Sequence, residues 1–457
     1  MTQAASGAQG TTKLARTLGL WAIVGLGLGY MTPTVVFDTF GIVSVETGNV
    51  VPTAYIFALV VMTFTAISYG RMTQIFPSAG SAYTYTSSTI SPNVGFLIGW
   101  AALLDYLLLP LVNALIIRSY MFSFFPSVPG WIWVAVYVAA ITGMCLFSMT
   151  NTSRVNMLLV VFEVVLIGVF LILAAKSLID GMGNGTIFST QPLWHDGVHL
   201  NLVITGATIV AFSFIGFDAI TMYTEEAKST STVPKAILLA LLIGGAIFFV
   251  SAFFTQSLFP DVSGFSEESL QNSALPEIAF NVGGHLFKIL LTSAAFAATV
   301  ASSLASHSSV SRLLYVMGRN GRGPVGRFFG YLHPSFQTPA YAIIFVGAVS
   351  LLAIAFNLDF VASLINFGAL IAFTFVNLTV IIYFAYRRRE VDGARQILRN
   401  IVLPAIGVAC TVLLWVYLSA ESTRYGIIWF VIGIVVLVWL TRFFRRPLTI
   451  NMGEAED

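Results

Sequence analysis

Charged residues are scarce in this sequence of 457 residues, where Asp, Glu, Lys and Arg together make up 9%. An average soluble domain carries about a quarter charged residues. Apolar residues make up 57% of the chain, and so few charges cannot cover that much apolar surface in water. The shortage of charge excludes a soluble protein of this length and predicts an all-α integral membrane protein.

Cysteine is also scarce, and common enzymatic motifs are missing. The two cysteines, Cys145 and Cys410, lie inside apolar runs, which excludes a disulfide scaffold and a cysteine metal site. Neither G-x-x-x-x-G-K-[ST] nor G-x-S-x-G occurs, and the five histidines are scattered. We therefore expect no enzyme, no metal or other cofactor, and no ATP-driven transport by this chain alone.

The net charge is small but unevenly distributed. The 22 Lys and Arg and the 20 Asp and Glu leave +2, which indicates no nucleic-acid partner. If the N-terminus is inside, 18 of the 22 basic residues lie on the cytoplasmic side, the exceptions being Arg118, Lys176, Lys288 and Arg424. Because Lys and Arg accumulate in cytoplasmic loops, we expect both termini in the cytoplasm. No oligomeric state follows from the sequence.

Long apolar runs dominate the rest of the chain. A helix needs about 20 mostly apolar residues to cross the hydrocarbon core of a bilayer. Numbered along the chain, the predicted spans 1 to 12 cover residues 17–43, 52–75, 94–122, 130–149, 155–177, 201–224, 235–259, 284–310, 338–357, 361–386, 400–419 and 425–443. The predicted organisation is a cytoplasmic tail (1–16), a ten-helix core (17–386), a cytoplasmic loop (387–399), two further helices (400–443) and a second cytoplasmic tail (444–457).

Spans 1 and 6 carry residues that disfavour a continuous helix. In span 1, three alternate glycines at 25–29 precede Pro33, and in span 6 Gly216 closely precedes Asp218. Glycine also serves close helix packing, which would explain either stretch alone. Five spans apart, they favour a five-plus-five inverted repeat followed by two extra helices. Paired discontinuous helices point to the binding site of a secondary transporter.

Three motifs resemble those of the amino acid/polyamine/organocation (APC) transporter superfamily, in its order and spacing. They are FPSAGSAYTY at 76–85 with GFLIGW at 95–100, FIGFD at 214–218 with TEEAK at 224–228 and VPKAI at 233–237, and SRLLYVMGRNG at 311–321. The resemblance covers essentially the whole chain. It implies a LeuT-like fold with substrate between helices 1, 3, 6, 8 and 10, and alternating access.

Further segments resemble bacterial putrescine importers of this superfamily. They are MTP at 31–33, VFDTFGIVS at 36–44, LLDYL at 103–107, ITGATIV at 204–210, ASH at 305–307 and LINFGAL at 364–370. The resemblance implies secondary active import of putrescine or a related polyamine, with protons as coupling ion, across the bacterial cytoplasmic (inner) membrane. A proton-coupled amino acid permease of the same superfamily is the alternative.

Four acids stand inside the predicted spans, namely Asp38, Asp105, Glu163 and Asp218, against Arg118 as the clear cation. A charged residue at the centre of a span costs roughly 2.5–3.5 kcal/mol on insertion scales. Such residues are functional hypotheses by default, because the bilayer selects against them. An acidic interior suits a cationic substrate or protons and disfavours an anion carrier.

Asp218 and Asp105 are the first candidates to bind a substrate ammonium. Asp218 follows the break in span 6 and could bind it by a charge-assisted hydrogen bond, or it could cap a half-helix or form a salt bridge. Asp105 in span 3 is either the anchor for a second ammonium of a diamine or a structural, hydrogen-bonded Asp. Two buried acids would repel the carboxylate of a zwitterionic amino acid.

Asp38 and Glu163 are candidates for gating or proton coupling, and Asp218 is a candidate for this role too. Asp38 could attract cations or close the outer gate, or make a polar contact with a neighbouring helix. Related amino acid transporters often carry a lysine near position 163, whose ammonium substitutes for a sodium ion. Glu163 departs from that pattern and is either a proton site or a partner of another helix.

Aromatic and small polar residues near the breaks complete the predicted substrate site. Aromatic rings in membrane spans usually serve packing, but beside broken helices they can form cation–π walls around an ammonium. With the two acids, the predicted substrate-binding residues are Tyr30, Met31, Thr32, Tyr106, Thr208, Phe212, Phe214, Gly216 and Phe217.

Overall fold

The computed structural model describes residues 18–77, 81–147, 153–224, 227–229, 231–320, 324–336 and 338–441. The predicted tails, 1–16 and 444–457, lie outside these residues. The described chain consists of helices and connecting segments, with one isolated β-bridge between Leu18 and Ala227. The predicted all-α membrane class is confirmed.

The helices occupy most of the described residues. α-Helices cover Leu20–Met31, Val35–Asp38, Phe40–Thr47, Val51–Ile75, Ser81–Thr89, Pro92–Phe124, Gly130–Phe147, Ser153–Ile179, Leu200–Phe214, Thr232–Leu258, Glu267–Gln271, Leu275–Asn320, Pro324–Phe329, Ala340–Ser350, Leu358–Val380, Ala394–Ile397, Leu403–Val416 and Ala420–Leu440. Shorter 3-10 or π segments cover Ala219–Tyr223, Leu351–Ile354, Ile381–Arg387 and Leu398–Val402.

Eleven helical stretches of the described chain are long and apolar enough to cross a membrane. The predicted span 9 is the exception, because its helix from Ala340 ends in a 3-10 turn at Ile354. The guanidinium of Arg118 donates to the carbonyls of Ala353 and Phe356 at 3.1 and 3.3 Å. The two bonds provide partners for the carbonyls of Ala353 and Phe356, which the end of the helix leaves unpaired. The chain can therefore turn there.

Span 1 is interrupted next to its proline. The helix from Leu20 ends at Met31, Thr32 adopts a left-handed conformation (φ 49°), and a short helix resumes at Val35. Pro33 has no N–H and its ring clashes with the preceding turn of a helix, which explains why the helix does not continue. The Thr32 nitrogen still donates to the Leu28 carbonyl at 3.0 Å, and the Thr32 carbonyl accepts from the Val35 nitrogen at 2.9 Å, so the turn joins the two helices directly.

Span 6 is interrupted at its glycine, and the two interruptions touch. The helix from Leu200 ends at Phe214, Ile215 is extended, and Gly216 has φ 128° before the 3-10 turn that starts at Ala219. A Cβ built on Gly216 would lie 3.0 Å from the backbone nitrogen of Met31. The missing side chain therefore lets the broken part of span 6 lie directly against that of span 1.

Candidate functional site

Asp105 and Asp218 lie in one buried neighbourhood between spans 3 and 6. The carboxyls lie within electrostatic range of each other, and both are almost fully buried. Tyr30 and Tyr106 each lie within electrostatic range of both acids. The fold therefore brings together four of the residues that the sequence predicts for the substrate site.

Asp218 is held by the break in span 6. Its Oδ1 accepts a hydrogen bond from the backbone nitrogen of Gly216 at 3.2 Å, and its carbonyl accepts one from the Thr221 hydroxyl at 2.7 Å. The backbone nitrogens of Asp218 and Ala219, at the start of the 3-10 turn, also interact with this carboxyl. The carboxylate is thus oriented by the loop that Gly216 makes possible, and it retains acceptor capacity for a ligand.

Asp105 and Tyr30 each carry a polar atom without a hydrogen-bond partner among the described residues. These atoms are Oδ1 of Asp105 and the hydroxyl of Tyr30, and both are buried. A buried acceptor left unpaired costs about 1–3 kcal/mol. Pro110, one turn beyond Tyr106, also has no N–H to donate to the Tyr106 carbonyl. The site therefore offers unused hydrogen-bonding capacity that a cationic donor can satisfy.

A cavity is lined by spans 1, 3, 6 and 8, and its lining includes Tyr30, which lies within electrostatic range of both acids. Its volume is about 20 Å³. The lining residues are Tyr30, Met31, Thr32, Val35, Leu109, Asn113, Ile116, Phe212, Ile215, Thr299 and Ser302. Four predicted site residues, Tyr30, Met31, Thr32 and Phe212, belong to the lining, whereas the two acids do not.

Several predicted substrate-binding residues lie away from this lining. The Thr208 hydroxyl donates to the Ile204 and Leu414 carbonyls at 2.9 and 3.1 Å, so it joins span 6 to span 11. Phe214 packs against Tyr55 and Phe248, with ring centroids 6.2 and 5.4 Å apart. The helical rotation of span 6 thus directs these two side chains toward neighbouring helices.

Phe217 joins an aromatic cluster near Asp218. Its ring centroid lies 5.9 Å from that of Tyr69 and 5.3 Å from that of Phe373. Tyr69 and Tyr85 both lie within electrostatic range of Asp218. Sequence reasoning did not single out Tyr69, Tyr85 or Phe373 as site residues, because their sequence neighbourhoods give no sign of which helix they face.

Asp38 lies in a closed hydrogen-bond network at the outer half of span 1. Its Oδ1 accepts from the Tyr120 hydroxyl at 2.9 Å and from the Ser273 hydroxyl at 2.7 Å. Its carbonyl accepts from the backbone nitrogen of Ala274 at 3.3 Å. Asp38 therefore joins span 1 to span 3 and to the segment that precedes span 8.

Glu163 of span 5 contacts the break in span 1. Its Oε1 accepts hydrogen bonds from the backbone nitrogen and the hydroxyl of Thr34, at 2.9 and 2.6 Å. Its Oε2 is buried and has no hydrogen-bond partner within the described ranges. Thr34 directly follows Pro33, so one carboxyl oxygen holds the restart of the helix while the other remains available.

Asn113, Thr299 and Ser302 are polar lining residues that the predicted substrate site did not include. The Asn113 amide nitrogen donates to the Ser302 hydroxyl at 3.3 Å, which joins span 3 to span 8. Helical spacing could have indicated Asn113, because it lies eight residues, or just over two turns, beyond Asp105 in span 3. The pairing with span 8 required the tertiary structure.

Gly216→Ala is expected to destabilise the protein by about 1–3 kcal/mol, the range for a residue forced into a sparsely populated backbone conformation, and to abolish transport. The methyl group would meet Met31 and Tyr30 at 3.0 and 3.1 Å. Thermal unfolding and uptake measure both effects. Gly197→Ala is the matched control, because Gly197 also has a positive φ (95°) but open space around it. Equal effects of the two substitutions on stability, with normal uptake, would contradict the proposed contact between the breaks.

Comparison with known proteins places this geometry in a family. The family model for amino acid permeases matches residues 18–437. The low-affinity putrescine importer PlaP of Escherichia coli K12 is 45% identical over 437 residues, which cover 95% of this chain and 96% of the relative. The branched-chain amino acid permease BcaP of Bacillus subtilis 168 is 24% identical over 459 residues, covering 95% and 94%.

A plant relative is matched over a smaller share of its own length. The vacuolar cationic amino acid transporter 4 of Arabidopsis thaliana is 27% identical over 394 residues, which cover 82% of this chain and 64% of the relative. The named relatives are transporters, so the predictions of a transporter and of no enzyme are confirmed. The resemblance to the APC superfamily is confirmed as well. The chain belongs to the amino acid permease family of multi-pass membrane transporters.

Proposed function

We propose that this chain imports putrescine or a related polyamine across the bacterial cytoplasmic membrane, coupled to protons, by alternating access. The 45% identity to a low-affinity putrescine importer supports this substrate class. The uneven distribution of Lys and Arg supports an orientation with both termini in the cytoplasm. The two interrupted spans that touch at the cavity support alternating access around a central site.

The observation that carries the proposal is the pair of buried acids without a basic partner among the described residues. Within the part of the chain that the structure describes, the only ion pair joins Arg388 and Glu390, at 3.6 Å. Arg118 uses its guanidinium on Asn272 and on carbonyls of the turn after span 9. Buried charges need a partner, and a substrate ammonium supplies one to Asp105 and Asp218.

Both acids act on the same end of the substrate in this proposal. Their mutual electrostatic interaction and the shared proximity of Tyr30 and Tyr106 favour one cationic subsite over two separated anchors. The carboxylates provide charge-assisted hydrogen bonds. The aromatic faces add a cation–π attraction of about 0.5–2 kcal/mol.

An amino acid permease of the same family is the second candidate. The similarity to a branched-chain amino acid permease favours it. A zwitterionic substrate would bring its own carboxylate beside Asp105 and Asp218, where repulsion in a low-dielectric site is strong. This electrostatic cost is the reason why we favour a polyamine over a neutral amino acid.

Asp38 is assigned to the outer gate. Its carboxylate joins span 1, span 3 and the segment before span 8, so all three must separate if the outer half of span 1 is to move. Asp38 has protein donors on its carboxyl, whereas Oδ1 of Asp105 has none among the described residues. A gating role therefore fits Asp38 better than direct binding of substrate.

Residues 17–386 form the transport core in this proposal, and spans 11 and 12 attach to it. Trp100 and Trp429 stack with centroids 4.8 Å apart, and each indole nitrogen donates to the other residue's carbonyl at 2.9 Å. The Arg71 guanidinium donates to the Arg399 carbonyl and the Asn400 side chain at 2.6 and 2.7 Å. These contacts hold the extra helices against spans 3 and 2.

Glu163 is the proposed carrier of the coupling proton. Its free Oε2 can hold a proton while Oε1 keeps its bonds to Thr34, so the charge of the carboxyl acts directly on the restart of span 1. The interior of the protein is a low-dielectric medium, where such a change in charge is felt strongly. Proton transfer at Glu163 is thereby linked to the conformation of the broken helix.

Glu163→Gln is expected to remove the dependence of uptake on external pH and to retain exchange of labelled for unlabelled putrescine. Gln keeps an acceptor oxygen for Thr34 but exchanges no proton. The measurement is the initial rate of uptake between pH 5 and 8 in proteoliposomes. Glu267→Gln, at an exposed acid, is the control and should keep the wild-type profile. A wild-type pH profile in Glu163→Gln would exclude the residue as the proton carrier.

The proposed function is tested with purified protein in liposomes under an imposed pH gradient, acidic outside. We expect saturable accumulation of labelled putrescine that an uncoupler collapses. Uptake that does not saturate would indicate a channel, and uptake of amino acids without uptake of putrescine would establish the second candidate. Saturable uptake that the uncoupler leaves unchanged would support the substrate and overturn the coupling to protons.

A further inference from the structure

Span 3 presents a polar, an apolar and a second polar residue along one face. Asp105, Leu109 and Asn113 are spaced four residues apart, which places each on the helix face next to the one before, turned by about 40°. The helix Pro92–Phe124 is continuous through this stretch, with Pro110 inside it. Leu109 and Asn113 both line the cavity, and Asp105 lies one turn before them.

Asn113 is almost fully buried and is fixed by span 8. Its amide nitrogen donates to the Ser302 hydroxyl at 3.3 Å, which leaves the amide oxygen to accept from a ligand. Thr299, one turn before Ser302, also lines the cavity. Asn113, Thr299 and Ser302 therefore form a neutral polar surface of the cavity. Along span 3, Leu109 separates Asn113 from Asp105.

The spacing of Asp105 and Asn113 can be compared with the length of a diamine. Eight residues at 1.5 Å each separate them by about 12 Å along the helix and turn them by about 80° around it, and their side chains have the same length. Two charge-assisted hydrogen bonds, one at each end, span about 2.8 Å each. The remaining distance along the axis, roughly 6 Å, is close to the separation of the nitrogens across five single bonds in an extended four-carbon diamine.

We propose that Asn113, oriented by Ser302, binds the second ammonium of a four-carbon diamine whose first ammonium lies at Asp105 and Asp218. The proposal rests on the proposed polyamine transport and adds the subsite that sets the length of the substrate. Leu109 lies along the methylene groups. Ile116, the next lining residue of span 3, offers no acceptor to an ammonium that reaches beyond Asn113.

This arrangement gives two distinct requirements for binding. Any primary amine can use the acids, whereas only a diamine of matching length also reaches the Asn113 oxygen. A hydrogen bond to a charged group is worth enough to discriminate about tenfold or more between a diamine and a monoamine. The preference for a diamine therefore comes from a neutral residue, while the acids provide the attraction common to all amines.

The test compares putrescine, 1,3-diaminopropane, cadaverine and butylamine as competitors of labelled putrescine binding to the purified full chain. Asn113→Leu is expected to weaken putrescine binding at least tenfold and to leave butylamine within twofold of its wild-type value. Asn113→Gln carries one more methylene, so it is expected to shift the preference from putrescine to 1,3-diaminopropane. Asn377→Leu removes another buried amide, which bonds to Thr65 and the Phe373 carbonyl, and should leave the putrescine-to-butylamine ratio unchanged.

Thermal unfolding of each variant identifies those that fold. A putrescine-to-butylamine ratio within twofold of wild type in folded Asn113→Leu would overturn the proposal. If that variant does not fold, an unchanged order of chain lengths in Asn113→Gln would overturn it equally. Failure of the wild-type protein itself to bind putrescine would instead overturn the proposed function, and the subsite with it.

Discussion

Asp218→Asn is expected to reduce putrescine uptake by about a hundredfold or more, the scale of losing one partner of a buried charge pair. The substitution keeps the size of the side chain and an oxygen that can accept from the Gly216 backbone nitrogen, so the break in span 6 can retain its shape. What is lost is the negative charge opposite the substrate ammonium. The initial rate of labelled putrescine uptake in proteoliposomes measures the effect.

Asp261→Asn is the matched control for that experiment. Asp261 is an exposed acid whose carboxylate bonds only to Ser263 among the described residues, so its loss should leave uptake within twofold of wild type. Thermal unfolding of Asp218→Asn should stay near that of wild type, because the loop geometry is kept. Normal putrescine uptake by folded Asp218→Asn would remove this residue from the substrate site.

Asp105→Asn is expected to weaken the binding of putrescine and of butylamine alike, by about tenfold to a hundredfold, the value of a hydrogen bond to a charged group. The expectation follows from the shared location of Asp105 and Asp218, which assigns both to the first ammonium. If Asp105 instead anchored the second ammonium, putrescine would weaken and butylamine would not. Competition binding with the two amines distinguishes these outcomes.

An unchanged affinity for both amines in folded Asp105→Asn would contradict either role. It would leave Asp105 as a structural residue, although its buried Oδ1 has no hydrogen-bond partner in the described chain. The comparison with Asn113→Leu is informative, since that variant is expected to affect putrescine only. Asp105→Asn thus measures the affinity for amines in general, and Asn113→Leu measures the preference for a diamine of matching length.

The membrane class and the family followed from the sequence because they depend on composition, run length and local motifs. Apolar runs long enough to cross a bilayer are visible without tertiary information. The acids stood out for the same reason, since a carboxylate within such a run is costly unless it has a function. The helix Ala340–Ile354 is shorter than the predicted span 338–357, and the bonds from Arg118 to the carbonyls at its end come from a distant segment.

The site could be predicted only in part, because helix rotation and packing decide which side chains meet. Thr208 and Phe214 both lie near the break of span 6, yet their side chains contact Leu414 and Phe248 in other helices. Asn113 had a signal in its spacing from Asp105, but its partner Ser302 lies 189 residues along the chain. Sequence distance alone does not indicate such a pairing.

Whether the carboxyls of Asp105 and Asp218 select a cationic amine is tested most directly by competition against labelled putrescine during uptake by wild-type proteoliposomes. The buried acid pair predicts that unlabelled putrescine and cadaverine compete, that butylamine competes more weakly, and that leucine at the same concentration has no effect. Uptake that leucine inhibits as strongly as putrescine does would contradict the claim that the carboxyls of Asp105 and Asp218 select a cationic amine.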